Sequence, residues 1–220
     1  MTSRRSLLKG ATGAGLALNL GWVGELLAAD RIERGVRTAT GEVTVNGSAA
    51  TEGMPVRAGD TVVTGPGGDV VFVVGRDAFM IRPDSRVELM RRGNSPVLTG
   101  LRILSGKILS VFSPGRKRVI HAETATIGIR GTAVYVEVEP DRAYVCTCYG
   151  TVDIASRDDP SARETVRTKH HDQPRYVMAS GAPQMIMEAP VVNHTDAELI
   201  LLEGLVGRKP PFGTTQPYRY

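Results

Sequence analysis

Residues 118–154 read RVIHAETATIGIRGTAVYVEVEPDRAYVCTCYGTVDI, and the reading of this stretch decides the fold. Apolar and polar residues alternate through Arg118 to Ala122, Ala125 to Ile129, Ala133 to Val138, Ala143 to Cys148 and Thr151 to Ile154. A period of two puts successive side chains on opposite faces, which is the pattern of strands and not of helices. Glycine, proline and aspartate punctuate the segments, as tight turns require.

The same rhythm extends toward the N-terminus. Lys107 to Phe112, Leu101 to Leu104, Arg86 to Met90 and Ala78 to Ile81 read as strands. Val70 to Val74 is a continuous apolar run, as in a strand covered on both faces. Val62 to Thr64 stops at Gly65-Pro66-Gly67-Gly68, and Gly41 to Val45 runs into Asn46-Gly47, a strong hairpin signal. Successive segments begin roughly every 8–12 residues, the spacing of a sandwich or β-roll. The expected class is all-β: a compact β-roll or sandwich of short strands, closed by a short C-terminal helix.

That helix is expected in an extension over residues 155–220. A polar loop follows Ser156, and Tyr176 to Met178 and Gln184 to Glu188 read as two short strands. Thr195-Asp-Ala-Glu198 has the capping-box form, so Leu199 to Val206, ended by Gly207, reads as a helix docked on the sheet. Pro210-Pro211 bars its continuation, and the last residues read as a tail.

Composition narrows the function. The chain has 220 residues, 41% hydrophobic and 23% charged, which suits one substantial soluble domain. Its net charge is +4, and without residues 1–29, which carry Arg4, Arg5, Lys9 and Glu25, it falls to +2. That balance, with no basic stretch interleaved with aromatics, excludes a nucleic-acid partner. Arg116-Lys117-Arg118 reads as a solvated hairpin tip.

Residues 1–29 read as a twin-arginine signal peptide. Thr2-Ser3-Arg4-Arg5-Ser6-Leu7-Leu8-Lys9 places Arg4 and Arg5 before a glycine- and alanine-rich stretch that Asn19 and Glu25 interrupt. A processed leader, cut near Ala28 or Ala29, fits this better than a membrane anchor, so the mature chain is expected to carry no transmembrane span. The expected location is the periplasm. Trp22, the only tryptophan, falls inside the leader.

The order of pieces over residues 41–154 resembles the FecR domain family, a periplasmic all-β module. It starts with Gly41 to Gly47, then Gly59-Asp60-Thr61-Val62-Val63-Thr64-Gly65, Arg76-Asp77 and Pro83-Asp84-Ser85. Leu104-Ser105-Gly106-Lys107-Ile108 follows, then Thr126 to Val136 with Arg130-Gly131-Thr132 at its centre, and Tyr149-Gly150-Thr151-Val152 closes the domain. The glycines belong where the backbone takes positive φ or approaches another strand closely, and Asp60 can cap turn amides. Arg130 is expected to reach carbonyls of a neighbouring rung. The resemblance implies a sensor, binding or scaffold module for an envelope protein, polymer or small ligand. The family's familiar anti-sigma role needs a preceding cytoplasmic segment, which a short leader does not supply.

The two cysteines lie in Val145-Cys146-Thr147-Cys148-Tyr149, on one face of a strand. Three readings stay open: two inert core thiols, a strained and reducible disulfide, or half of a soft-metal site for zinc or copper. His170 and His171, in a loop with Asp172 and Pro174, are the candidate added ligands of the metal or thiol-redox reading. His121 and His194 read as structural. No nucleophile elbow, phosphate loop or dinucleotide glycine pattern is present, so no enzyme and no certain cofactor is expected.

Overall fold

The structure is a computed structural model that describes residues 33–213. The leader, with Arg4, Arg5 and Trp22, and the end of the tail lie outside the described residues.

Strands β1 (Gly35–Thr40) to β7 (Ser85–Arg91) include β2 (Val43–Val45), β3 (Ser48–Ala49), β4 (Thr61–Thr64), β5 (Asp69–Val74) and β6 (Asp77–Ile81). They are followed by β8 (Leu98–Val111), β9 (Arg118–His121), β10 (Ala125–Ile129), β11 (Ala133–Val138) and β12 (Arg142–Ser156). Finally come β13 (Arg163–Thr168), β14 (Arg175–Met178), β15 (Ile186–Glu188) and helix α1 (Asp196–Leu205). The all-β expectation with one short C-terminal helix holds.

Two long strands organise the molecule. β8 and β12 each bend from one sheet into the other, so a single hydrogen-bonded network wraps into two faces. The first sheet runs β1-β5-β6-β8-β11-β12-β14-β15. The second runs β3-β2-β4-β7-β8-β9-β10-β12-β13. The bend in β12 falls at Gly150, whose φ of 96° suits glycine and whose added Cβ would meet Thr132 Oγ1 at 2.6 Å. β8 bends at Gly106, φ 84°, against Ser85. The sequence breaks each of these strands in two at its glycine; the structure carries the pairing through.

Alternation sorts the side chains into two cores. Val70, Phe72, Val134, Val136, Ala143 and Val145 point between the sheets, into the larger cluster. Their neighbours Val71, Val73, Tyr135, Tyr144, Cys146 and Cys148 point outward from the first sheet. Helix α1 covers that outer face with Leu199, Leu202 and, just past its end, Val206. Val70 to Val74 is therefore covered on both faces, as its unbroken apolar run implied.

The hairpin at Asn46-Gly47 forms, with φ of 51° and 81° at the two turn residues and Val45 opposite Ser48. The boundary expected at 154/155 does not separate two bodies. β13 pairs with β12 through Val152 and Val166, and β14 pairs with β12 through Tyr144 and Tyr176. The extension thus adds three strands to the same sheets, where two were expected. β13 was missed because Arg163–Thr168 alternates on a half-exposed edge with one buried apolar residue, Val166.

Candidate metal centre

Four side chains from three places in the chain converge on the outer face of the first sheet. Cys146 and Cys148 come from β12, His171 from the turn between β13 and β14, and His194 from the approach to α1. One donor atom from each, two sulfurs and two ring nitrogens, all lie within 4.8 Å of one another. All four residues are buried, at 0%, 0%, 3% and 2% exposure respectively.

Local structure explains the convergence. Residues two apart on a strand share a face, so Cys146 and Cys148 both point outward beneath α1. The chain leaving β13 turns sharply at His171, where φ is 51°, and the His171 amide donates to the Cys148 carbonyl at 3.0 Å. That bond pins the imidazole over the sulfurs, with Nδ1 3.5 Å from Cys146 Sγ. His194 sits one residue before the N-cap Thr195. The Thr195 hydroxyl accepts from the Glu198 amide, and the Glu198 carboxylate accepts from the Thr195 amide, so the expected capping box fixes where His194 enters.

Outer partners set which nitrogen faces the centre. His194 Nδ1 donates to the Val192 carbonyl at 2.7 Å, which leaves Nε2 as the inward lone pair. His171 Nε2 donates toward Asp196 Oδ1 at 3.3 Å, which turns Nδ1 inward. The carboxylate–histidine arrangement at Asp196 is the usual way a protein orients and strengthens a metal-ligating imidazole. The ring of Tyr135 stacks on His194 with centroids 4.6 Å apart.

The two sulfurs sit in opposite electrostatic settings. Burial pushes the Cys146 thiol up, yet its polar neighbours, Cys148 first and then the His171 and His194 rings, outweigh it and hold Cys146 well below its ordinary value. Burial, reinforced by the neighbouring Cys146 sulfur, pushes Cys148 well above. The two thiols are unbridged.

The set fits a tetrahedral cation. Bonds of about 2.3 Å to sulfur and about 2.0–2.1 Å to nitrogen imply donor–donor edges of about 3.3–3.8 Å. The separations of 2.9 Å between His194 Nε2 and His171 Nδ1 and 3.5 Å between His171 Nδ1 and Cys146 Sγ, with the 4.8 Å limit, bracket those edges. With four protein donors and almost no exposed surface, such a site is closed. A closed donor set of this kind suits a structural ion and leaves no open position for substrate.

The expected ligands fare unequally. Cys146, Cys148 and His171 come together, while His170 turns away: its Nε2 lies 2.8 Å from Asp196 Oδ1 and its ring stacks on Phe212 at 4.3 Å. His194, read as structural from sequence, takes the fourth place. Nothing in its own neighbourhood signals a ligand; its one usable cue is the capping box immediately after it.

The remaining motif residues serve the frame. Asp60 accepts from the Arg57 amide at 2.7 Å and from Asn46 Nδ2 at 2.9 Å, tying two turns together, and the Gly59 amide donates to Leu89 O. The Arg130 amide donates to the Thr151 carbonyl at 3.2 Å, but the side chain turns to a carboxylate. It forks onto Asp153 through Nε at 2.9 Å and Nη2 at 2.6 Å, because β10 and β12 place Gly128 opposite Asp153, beside it. Gly131 and Thr132 form the turn into β11, and Thr132 O accepts from the Phe112 amide at 2.9 Å. His121 lies on the outer face of the second sheet, 3.5 Å from Thr126 Oγ1.

Two crystal structures of a candidate anti-sigma factor from Parabacteroides distasonis are similar to this chain, each at 10% sequence identity. One match covers 66% of this chain and 65% of that chain with a TM-score of 0.50; the other covers 59% and 58% at 0.48. The chain therefore spans less than two thirds of the length of these solved proteins. At that identity the likeness concerns the all-β fold. No family model and no curated protein matches the sequence.

Proposed function

We propose that this chain is an exported, non-enzymatic, FecR-like binding or scaffold module whose C-terminal segment is locked onto the β core by one zinc ion. Cys146, Cys148, His171 and His194 are the ligands, and Asp196 orients His171. The observation that carries the reading is the convergence of four buried donor atoms within 4.8 Å from three separate chain segments. A tetrahedral set of two sulfurs and two nitrogens suits zinc, and copper(I) is the competing soft ion.

Such an ion does structural work here. It joins β12, the β13–β14 turn and the start of α1, and so holds the helix over the second apolar core. Three polar contacts share that load: Arg82 to Glu198 at 2.5 Å, Tyr149 to Glu203, and the Pro190 carbonyl accepting from Tyr144 at 2.9 Å. A rigid β surface with a locked cover is suited to a partner in the envelope, protein or polymer. The fold likeness to a candidate anti-sigma factor supports that sensing or scaffold role, and the pair Arg4-Arg5 supports export. Among the described residues no helix is long and apolar enough to cross a membrane.

Elemental analysis of protein isolated from the periplasmic fraction, without added metal, tests the reading. Zinc near one equivalent per chain, lost in Cys146→Ser, is expected. Full-length chain in the cytosol, or metal at trace level with both thiols intact, overturns it.

A further inference from the structure

A second site lies at the ends of the strands, away from the cysteines and built from arginine. A cavity of about 470 Å³ is lined by Arg34, Arg76, Arg116 and Arg118, with Asp77 in its floor and Val97 on its wall. Its volume is in the range of small-ligand sites. The arginines arrive from different places: Arg34 just ahead of β1, Arg76 in the β5–β6 turn, Arg116 in the β8–β9 loop and Arg118 at the start of β9.

One of the four has a structural task. Arg118 is 5% exposed and forks onto Asp77 Oδ2 through Nε at 3.2 Å and Nη2 at 2.9 Å. The other Asp77 oxygen accepts from the Ser113 amide and hydroxyl, both at 2.7 Å. That carboxylate is fully engaged, and its charge is matched by Arg118. The basic turn 116–118 is therefore not a simple solvated tip, because its last residue is buried.

The other three guanidiniums, of Arg34, Arg76 and Arg116, have no carboxylate partner among the described residues, and Arg34 Nε donates to the Gly75 carbonyl at 3.5 Å. Like charges gathered around one concavity repel, and a bound anion relieves that cost. The Arg76 backbone is held by Arg208 Nη1, which donates to its carbonyl at 2.7 Å, so the turn is braced from the C-terminal segment. Val97, 40% exposed, adds an apolar wall.

We propose that this cavity binds a small phosphate-bearing anion, with Arg34, Arg76 and Arg116 as its charge partners. The planar guanidinium fork matches phosphate oxygens two at a time. Three forks around one cavity favour a group with several anionic oxygens over a lone carboxylate. The site is independent of the metal centre.

Calorimetric titration of inorganic pyrophosphate into the purified, metal-loaded protein at low salt tests the proposal. Saturable binding at one site is expected. Arg76→Ala combined with Arg116→Ala weakens it by at least about tenfold, since each guanidinium removed takes charge-assisted hydrogen bonds to the phosphate with it. Arg102→Ala combined with Arg157→Ala removes the same charge elsewhere on the surface and leaves the affinity within about twofold, as a site-specific effect demands. Absence of saturable heat, or equal weakening by the two double variants, overturns the proposal.

Discussion

His194 Nε2 lies 2.9 Å from His171 Nδ1, although 23 residues separate them in the chain. Each imidazole spends its outer N–H on the protein, on Val192 O and Asp196 Oδ1, so two lone pairs face one another beside two sulfurs. A cation at their centre satisfies all four donors at once. His194→Ala is thus expected to abolish stoichiometric zinc binding. Asp196→Asn, which keeps the side chain's shape, should lower the affinity by about 10–100-fold. His170→Ala should leave the stoichiometry unchanged. Competition against a chromophoric chelator measures all three.

Removing the ion should loosen the C-terminal segment and lower overall stability. A ligand at about 100 times its Kd stabilises by about 2.7 kcal/mol, which for a chain of this size is about 5–10 °C in Tm. Thermal unfolding with and without a strong chelator reads this directly. The Cys146→Ser variant should unfold at the chelated value and show no further drop on chelation.

Asp77 and Arg118 form the most deeply buried arginine–carboxylate pair among the described residues, with side-chain exposures of 2% and 6%. Asp77→Ala leaves a buried guanidinium without its counter-charge and two Ser113 donors without their acceptor. The expected cost is about 3–5 kcal/mol. Urea denaturation measures it. Double replacement by Asp77→Leu and Arg118→Met should recover part of the loss, because no buried charge is left without its counter-charge, although the two Ser113 donors still lack their acceptor.

Glycine at 100 is demanded by the parallel pairing of β8 with β9, which sets it opposite Val119. A Cβ there would stand 1.9 Å from the Val119 carbonyl oxygen. Gly100→Ala should therefore destabilise by at least about 1–3 kcal/mol, the range for overpacking. Gly128→Ala is the contrast: its Cβ would meet Asp153 Cβ at 3.6 Å, ordinary contact, and the change should be nearly neutral. Urea midpoints of the two variants should separate accordingly.

These four cases mark what sequence can and cannot carry. Alternation in residues 118–154 disclosed the strands, because period two survives wherever one face is buried. The run Val70–Val74 disclosed a strand between two cores, and Thr195 with Glu198 disclosed the start of the helix. The length of β8 and β12 stayed hidden. Gly106 and Gly150 look like turn residues, whereas each lets a continuous strand bend between sheets. The parallel β8–β9 contact was equally invisible, since nothing local in Leu98–His121 distinguishes it from a hairpin. Of the four converging side chains, Cys146 and Cys148 were legible from their spacing and His171 from its position in a turn. His194 was not, because the pairing of β14 with β12 and the docking of α1, both tertiary events, deliver it to the sulfurs. The same holds for Asp77, whose partner lies 41 residues away.

X-ray absorption at the zinc edge on the protein as isolated tests the central claim most directly. The account predicts a four-coordinate shell of two sulfurs at about 2.3 Å and two imidazole nitrogens at about 2.0–2.1 Å, with both sulfurs gone in the double Cys146→Ser and Cys148→Ser variant. A shell of oxygen and nitrogen alone, or one unchanged in that variant, contradicts it.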